Sequence, residues 1–528
     1  MCGISGIVGS RANLATLQHM LKKSSHRGED AYFGECDYGN GYAVGTNRLA
    51  IVDSTHGRQP FISKDGNVIC ISNGEIYNYQ ELNTFYQKFY KFKSSCDTET
   101  ILAGSLCDGF DIFEKIRGMY AIFLYDKNNS SWYLVRDHLG IKPVFYAWDS
   151  KNNFYFSSEL KSFEALIDVS KIDVLMPGSV LKNGNIIKER TFYLFSQNDR
   201  FPEEKILQEV ANSLENSVKR MLPKTKEEKV ACLLSGGIDS STVVYLANKL
   251  HNGNIEAFTF FNQNSNSNDY ESAKLLCDSL GVKLMTVSPP IEMLTDFYLK
   301  QGVWMTETFE CALVRNAVSY YFLCNYVKNN GYKIALSGEG ADDFFCGYDY
   351  FMSFGELDRD KAIEISLHDI HRTYLQMADR ASMFATLEVR VPYMDEDVTE
   401  KVTQLPSKYR INSKINKWVL RYLYPEDMPS QIRFRAKTGM NPGAGYGSND
   451  PGESIYYQAV KQFYDLKPQT RKYDYEFAKT KSRQFSLNLD DLEEVYNFCR
   501  FWEYGFARLN GCHQRPQLNT SHLVLGCS

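Results

Sequence analysis

Residues 230–241 constrain this chain more than any other stretch. Val230-Ala231-Cys232-Leu233-Leu234 is apolar throughout, as a strand buried on both faces must be, and it runs directly into Ser235-Gly236-Gly237-Ile238-Asp239-Ser240-Ser241. Two glycines let the backbone turn tightly and approach a ligand, and the amides of such a loop favour an anion. The elements that follow are a helix over Ser240–Leu250, a strand over Ile255–Phe261, a helix over Glu271–Leu280 and a strand over Lys283–Val287. Strand alternating with helix predicts a parallel, doubly wound sheet. A second strand and loop, Lys333–Leu336 then Ser337-Gly338-Glu339-Gly340-Ala341-Asp342-Asp343, has the same form, and beyond Glu356 the pattern is mostly helical.

The preceding 200 residues read differently. Short strands are expected at Ile4–Val8, Tyr42–Asn47, Asn67–Ser72, Met119–Tyr125, Trp132–Val135 and Phe154–Ser157, with few helices, chiefly Thr16–Lys23, Tyr79–Phe89 and Asp97–Gly109. A long amphipathic pattern at Glu203–Met221 opens the second part. With 528 residues the chain is too long for one ordinary core. We therefore expect domains at 2–200 and 201–510, with 511–528 a loosely ordered tail.

Composition excludes several classes. A net charge of −5 offers no field to gather nucleic acid or an anionic membrane. No apolar run reaches the roughly 18–20 residues that span a bilayer, and Met1–Ser10 lacks the pattern of a secretory signal. The 13 cysteines are odd in number and include no Cys-x-x-Cys pair, so reduced thiols and a cytoplasmic location are expected.

One thiol stands apart. In Met1-Cys2-Gly3-Ile4, removal of Met1 would leave Cys2 with both a thiol and a free α-amine, whose pKa near 8 suits a base. Arg48-Leu49-Ala50-Ile51-Val52 supplies a guanidinium that can grip a carboxylate. Asn73-Gly74-Glu75, read as following a strand, can offer a side-chain amide and a backbone amide to an oxyanion. Asp97 at a helix start can hold an ammonium. Together these stretches resemble the class II, or N-terminal nucleophile, glutamine amidotransferases. The resemblance implies a four-layer αββα glutaminase with Cys2 as nucleophile and Asn73 and Gly74 as oxyanion hole. It implies glutamine bound by Arg48, Leu49, Ile51, Val52, Asn73, Gly74, Glu75 and Asp97.

The string from Ser235 to Ser240 resembles the loop of ATP pyrophosphatases, and no Walker-type motif occurs. With Asp379–Met383, Glu388–Asp395 and Arg433–Gly439, the order of motifs over residues 2–445 resembles the asparagine synthetase B family. That resemblance implies an adenine nucleotide α-hydrolase-like second domain with extra helices. It implies ATP held by Leu233, Ser235, Gly236, Gly237, Asp239, Ser240, Phe260, Ser337 and Gly338. Mg2+ would lie on Asp239 and Asp342, with Glu339 and Lys437 acting at the reacting carboxylate. The implied reaction is amidation of a carboxylate, aspartate first, through an acyl-adenylate.

Several departures from the family pattern bear on this, and one is that Lys283–Val287 stands where a His-rich stretch is usual after Gly281-Val282. Asp343 stands where Glu is usual, Cys346 replaces the first Gly of Phe-Gly-Gly-Tyr, and the acceptor segment Thr306–Arg315 matches loosely. Arg315 is a candidate for the acceptor's α-carboxylate or for an ordinary ion pair. A different carboxylate acceptor, or a catalytically silent scaffold, is the alternative reading, although the intact Cys2, Asn73, Asp239 and Lys437 argue against silence. A homodimer is one assembly left open.

Overall fold

The computed structural model describes residues 2–29, 33–37, 39–164, 166, 168–189, 203–412, 415–448 and 453–509. The expected boundary between 200 and 201 lies outside these residues, as does the expected tail at 511–528. Among the described residues, 2–189 cluster with 383–386 and 501–509 in one compact unit. Residues 203–382 and 387–500 form the other.

The first unit contains twelve strands among its described residues: β1 (Cys2–Val8), β2 (Phe33–Asp37), β3 (Tyr42–Arg48), β4 (Phe61–Ile62), β5 (Val68–Ile76), β6 (Gly118–Asp126), β7 (Ser131–Arg136), β8 (Phe145–Trp148), β9 (Phe154–Ser157), β10 (Asp173–Val174), β11 (Val180–Lys182) and β12 (Asn185–Lys188). They form two six-stranded antiparallel sheets, β10-β8-β9-β1-β3-β2 and β12-β11-β7-β6-β5-β4. Ile4, Tyr42, Val44 and Phe156 of the first sheet pack on Ile69, Ile71, Phe123 and Leu134 of the second. Phe123 and Phe156 stack with ring centroids 4.4 Å apart. The other face of β5, with Val68 and Cys70, packs on helices Tyr79–Tyr86 and Asp97–Asp108. Helix Leu14–Lys23, capped by the Asn13 side chain, covers the outer face of the first sheet. The layers are thus helix, sheet, sheet, helix. Burial on both faces is why these strands carry few polar residues despite their period of two.

The second unit holds β13 (Val230–Leu233), β14 (Ile255–Phe260), β15 (Lys283–Val287), β16 (Ile334–Leu336) and β17 (Glu388–Arg390) in the order β15-β14-β13-β16-β17, every pair parallel. Helices Ile238–Leu250 and Asn268–Leu280 make the crossovers from β13 to β15, and Cys311–Asn329 precedes β16. The chain winds from β13 outward to β15, then returns to lay β16 on the other side of β13. The doubly wound expectation holds, and its switch point falls between β13 and β16. In open parallel sheets, ligands bind outside the carboxyl ends of strands at such a point.

Candidate active sites

Alternation along β1 and β5 determines the first site. Cys2 shares a face with Ile4, and Asn73 shares one with Ile69 and Ile71, so both side chains point into the layer between the sheets. Both are buried, and the Cys2 backbone nitrogen lies 3.2 Å from Asn73 Oδ1. Burial pushes the Cys2 thiol above its ordinary value. The Asn73-Gly74 pair corrects one expectation: it does not follow the strand but lies inside β5, opposite Ala121 and Tyr120. Gly74 has φ +151°, and a Cβ there would lie 2.0 Å from the Met119 carbonyl oxygen. Only glycine lets the strand continue past that oxygen. Gly74→Ala is therefore expected to destabilise the unit by about 1–3 kcal/mol, read as a lower denaturant midpoint in chemical unfolding.

The other glutamine-site candidates surround this pair. Arg48 ends β3, and its guanidinium donates to the carbonyls of Val52 at 3.2 Å, Asp53 at 2.6 Å and Ser54 at 3.2 Å. Those bonds close the Leu49–Val52 loop over the strand end. Asp97 Oδ2 accepts from the Ile76 N–H at 2.9 Å, which ties its helix to β5 beside buried Glu75.

Sequence reasoning missed Gln59. Its Nε2 donates to Ser72 O at 3.0 Å, lies 3.3 Å from Thr98 Oγ1 and 3.9 Å from Cys2 Sγ, while its Oε1 accepts from Ser72 N–H at 2.6 Å. Nothing local marks it, since an amide before a proline is ordinary loop chemistry. His26 and Arg27 meet a buried carboxylate: Arg27 donates to Glu159 at 2.8 Å and to the Cys2 carbonyl at 3.2 Å, while His26 Nε2 at 3.0 Å and Lys161 at 2.6 Å also pair with Glu159.

The second site forms at the switch point. The Ser235 and Ser240 hydroxyls lie 3.2 Å apart, and Ser240 Oγ also accepts from the Ser235 N–H. Gly236, at φ +71°, lies so close to the Asn268–Leu280 helix that a Cβ would fall 2.5 Å from Ser272. A Cβ on Gly338 would lie 2.7 Å from the Ser240 nitrogen, so the loops after β13 and β16 touch. Leu233 and Phe260 end β13 and β14, and the Phe260 ring stacks on Tyr446 at 4.8 Å between centroids. Ser337 is held by Tyr320, whose hydroxyl lies 3.2 Å from its own.

Over these loops lies 435–438. Arg435 donates to Ser235 O at 2.9 Å and pairs with Asp269, and Lys437 Nζ is 2.5 Å from Asp342 Oδ2. A cleft lined by Ser235, Gly237, Asp239, Lys417 and Lys437 lies between. Lys417, absent from the sequence reading, has its ammonium 2.5 Å from both Asp239 Oδ2 and Asp342 Oδ1. A lone lysine between Asn416 and Trp418 gives no local sign of this; only tertiary folding brings it there. The two carboxylates, close enough to share one ammonium, suit a hard cation that also binds phosphate oxygens.

Burial pushes the Glu339 carboxyl up to about 7, with Lys437 opposing and Asp342 and Asp239 adding to the shift. An unfolded Glu releases its proton near pH 4.3. The folded chain thus binds more protons between about pH 4.3 and 7, and its stability falls as pH rises through that window. Glu339→Gln removes the penalty. Its melting temperature is expected to match the parent near pH 4, below that window, and to exceed it by a few degrees at pH 8, measured by calorimetry.

Two of the family departures have structural consequences. Cys346 adopts φ +56° and is fully buried, and a Cβ on the following Gly347 would overlap Asp342 Oδ1 and Lys417 Cε at 2.0 and 2.1 Å. The second glycine of the turn is therefore the one the site requires. Asp343 accepts from Ser366 Oγ at 2.5 Å, and burial pushes it up to about 7. Arg315 is engaged as an ion pair: its Nε lies 2.8 Å from the buried carboxylate of Glu493.

Residues 1–214 match the glutamine amidotransferase domain family, and residues 209–362 and 352–462 match the asparagine synthase family. The chain belongs to the glutamine-hydrolysing asparagine synthetase family. It is 26% identical to asparagine synthetase B [glutamine-hydrolyzing] of Escherichia coli (strain K12), over 94% of this chain and 91% of that protein. It is 27% identical to the nodule asparagine synthetase [glutamine-hydrolyzing] of Pisum sativum, over 96% and 88%. It is 29% identical to asparagine synthetase [glutamine-hydrolyzing] 2 of Oryza sativa subsp. japonica, over 84% and 78%. In this asparagine synthetase homologue, no helix among the described residues is long and apolar enough to cross a membrane.

Proposed function

We propose that the chain transfers the amide nitrogen of glutamine to a carboxylate, converting aspartate to asparagine with cleavage of ATP to AMP and pyrophosphate. Residues 2–200 act as the glutaminase and 201–510 as the synthetase. The observation that carries the reading is the convergence of the Ser235–Gly237 loop, the Ser337–Glu339 loop and Lys437 at a parallel-sheet switch point. The same chain sets Cys2 against Asn73.

Once Met1 is removed, the α-amine takes the proton of the Cys2 thiol. The sulfur attacks the glutamine amide carbon, and the charge on its oxygen is met by the Asn73 side-chain amide and the Gly74 N–H. The proton returns to the leaving nitrogen, ammonia departs, and water hydrolyses the thioester. Arg48 holds the α-carboxylate of glutamine, with Leu49, Ile51 and Val52 about it, while Glu75 and Asp97 hold its α-amine.

In the second site the acceptor carboxylate attacks the α-phosphorus of ATP, and pyrophosphate leaves. Amides of Ser235, Gly236 and Gly237, at the start of the Ile238–Leu250 helix, hold the departing phosphates. Leu233 and Phe260 flank the base, and Ser240, Ser337 and Gly338 shape the loop walls. Asp239 and Asp342 are the residues that would hold Mg2+, which supplies charge neutralisation on phosphate oxygens. Lys437 stabilises charge building at the reacting phosphate. Glu339, whose carboxyl titrates near neutrality, accepts the proton ammonia releases on attacking the adenylate.

A different acceptor is a second reading, favoured because Arg315 already carries Glu493 as its partner. The test incubates the pure protein with ATP, magnesium, glutamine and a panel of carboxylic acids, measuring pyrophosphate for each. Aspartate is expected to give the largest release. Release with another acid alone would replace the acceptor, and release with none would overturn the proposal.

A further inference from the structure

Asp239 and Asp342 lie in the first turns of the separate helices that follow β13 and β16, Ile238–Leu250 and Ala341–Phe344, and their carboxylates meet at one ammonium, that of Lys417. The lysine side chain is 2% exposed, whereas Lys437, which holds the other oxygen of Asp342, is 34% exposed. The backbone is shaped for this placement. Lys417 adopts φ +50°, a left-handed conformation that non-glycine residues rarely take, and Gly347 leaves out the Cβ that would collide with the lysine stem. Asn416 Nδ2 donates to the Gly347 carbonyl at 3.0 Å, and Arg421 donates to Asn416 O at 2.7 Å and to its Oδ1 at 2.6 Å. The lysine is thus built in from both sides.

Charge counting gives the consequence. Counting Asp239, Asp342, Asp269 and the adjoining Glu339 against Lys417, Lys437, Arg421 and Arg435 gives a sum of zero, so a dication entering alone would meet no net attraction and two nearby ammoniums. Among the described residues, no group of three or more His, Cys, Asp or Glu could hold a metal without help. A triphosphate changes this. Its oxygens offer the ammoniums of Lys417 and Lys437 new partners, which releases both carboxylates while adding phosphate oxygens for the metal.

We propose that Lys417 is a positioning residue that acts as an internal counter-cation, bridging Asp239 and Asp342 so that the divalent cation binds only together with nucleotide, by exchange of partners. This rests on the nucleotide reading of the same site.

The test uses the full chain with Mn2+ as a probe. Binding of Mn2+ alone is measured by electron paramagnetic resonance on the parent, Lys417→Gln and the double variant Lys417→Gln/Asp342→Asn. Melting temperatures are recorded with Mn2+, with α,β-methylene-ATP, and with both. For the parent, Mn2+ alone is expected neither to bind at sub-millimolar concentration nor to raise the melting temperature, while Mn2+ with the analogue raises it by several degrees. Lys417→Gln is expected to bind Mn2+ alone at least about tenfold more tightly than the parent, and the double variant to lose that gain. A structural role for Lys417 predicts no gain of metal binding.

The parent needs no substitution to decide the matter: if it binds Mn2+ alone as tightly as with the analogue, the exchange is wrong. A Lys417→Gln protein that is folded by circular dichroism but gains nothing overturns it too, as does a gain that survives in the double variant. If the analogue with Mn2+ fails to stabilise the parent, the nucleotide reading itself fails and the exchange falls with it.

Discussion

Cys2→Ala is expected to lower glutamine hydrolysis by at least about 10⁴-fold, while pyrophosphate release driven by added ammonium stays near the parent rate. Removing the nucleophile of a hydrolytic triad costs about 10⁶-fold in a well-studied case, because the groups act as a unit. Here the groups are the Cys2 thiol, its α-amine and the Asn73 amide, whose oxygen already lies 3.2 Å from the Cys2 nitrogen. On the proposed reading Arg48, Glu75 and Asp97 would still hold glutamine without the sulfur, so binding measured by calorimetry should survive. Alanine leaves a small cavity in a buried layer, but the strand pairing of β1 with β3 does not depend on the thiol. Retention of Met1 is expected to abolish hydrolysis in the same way, since an acylated nitrogen is no base. Wild-type glutaminase activity in Cys2→Ala would end the nucleophile assignment. Loss of the ammonium-driven reaction as well would argue against chemically separate sites.

Lys437→Ala is expected to slow acceptor-dependent pyrophosphate release by about 10²- to 10³-fold at saturating ATP, the usual effect of losing one placed electrostatic donor. The lysine is kept charged: burial alone would lower its pKa, but Asp342, Asp239 and Glu339 together hold it above its ordinary value. ATP affinity should fall less, because the amides from Ser235 to Ile238 are untouched. Folding should also tolerate the change, since the side chain is one-third exposed and Asp342 retains Lys417. Lys437→Arg should not restore the rate fully, as a planar fork replaces a compact ammonium. Normal turnover in Lys437→Ala would make the residue a solvated turn. A defect confined to ATP binding would make it a ground-state phosphate contact.

Legibility of the fold followed the range of the interactions involved. Helix Glu203–Met221 was read to the residue, because its apolar stripe and charged ends are local facts. The expectation Tyr79–Phe89 is three residues too long, since the helix ends at Tyr86, and β2, β4, β8, β10, β11 and β12 were not expected at all. Where a short strand lacks an apolar run like that of β13, it forms only because a neighbour pairs with it, and no local signal precedes it. The doubly wound second sheet was foreseeable from alternating strands and helices, but its order was not, because the return of β16 to the far side of β13 is a choice of tertiary packing.

The sites divide in the same way. Cys2, Asp97 and Asp239 could be named as candidates from short motifs, because loop glycines, helix starts and a near-terminal thiol are chemistry written in consecutive residues, whereas Glu339 and Lys437 were named only through the family resemblance. Gln59, Lys417 and the pairing of Arg315 with Glu493 could not, since each role is set by residues tens to hundreds of positions away. The Asn73-Gly74 pair shows the boundary between the two. Its composition is that of a turn, and it became strand because β6 pairs with it through Gly118–Asp126 and leaves no room for a Cβ beside the Met119 carbonyl. The sequence by itself determined which local chemistries this protein carries and the alternation that builds its sheets. Tertiary structure alone decided which charges neutralise one another, because a buried charge is stable only against a partner that folding brings to it.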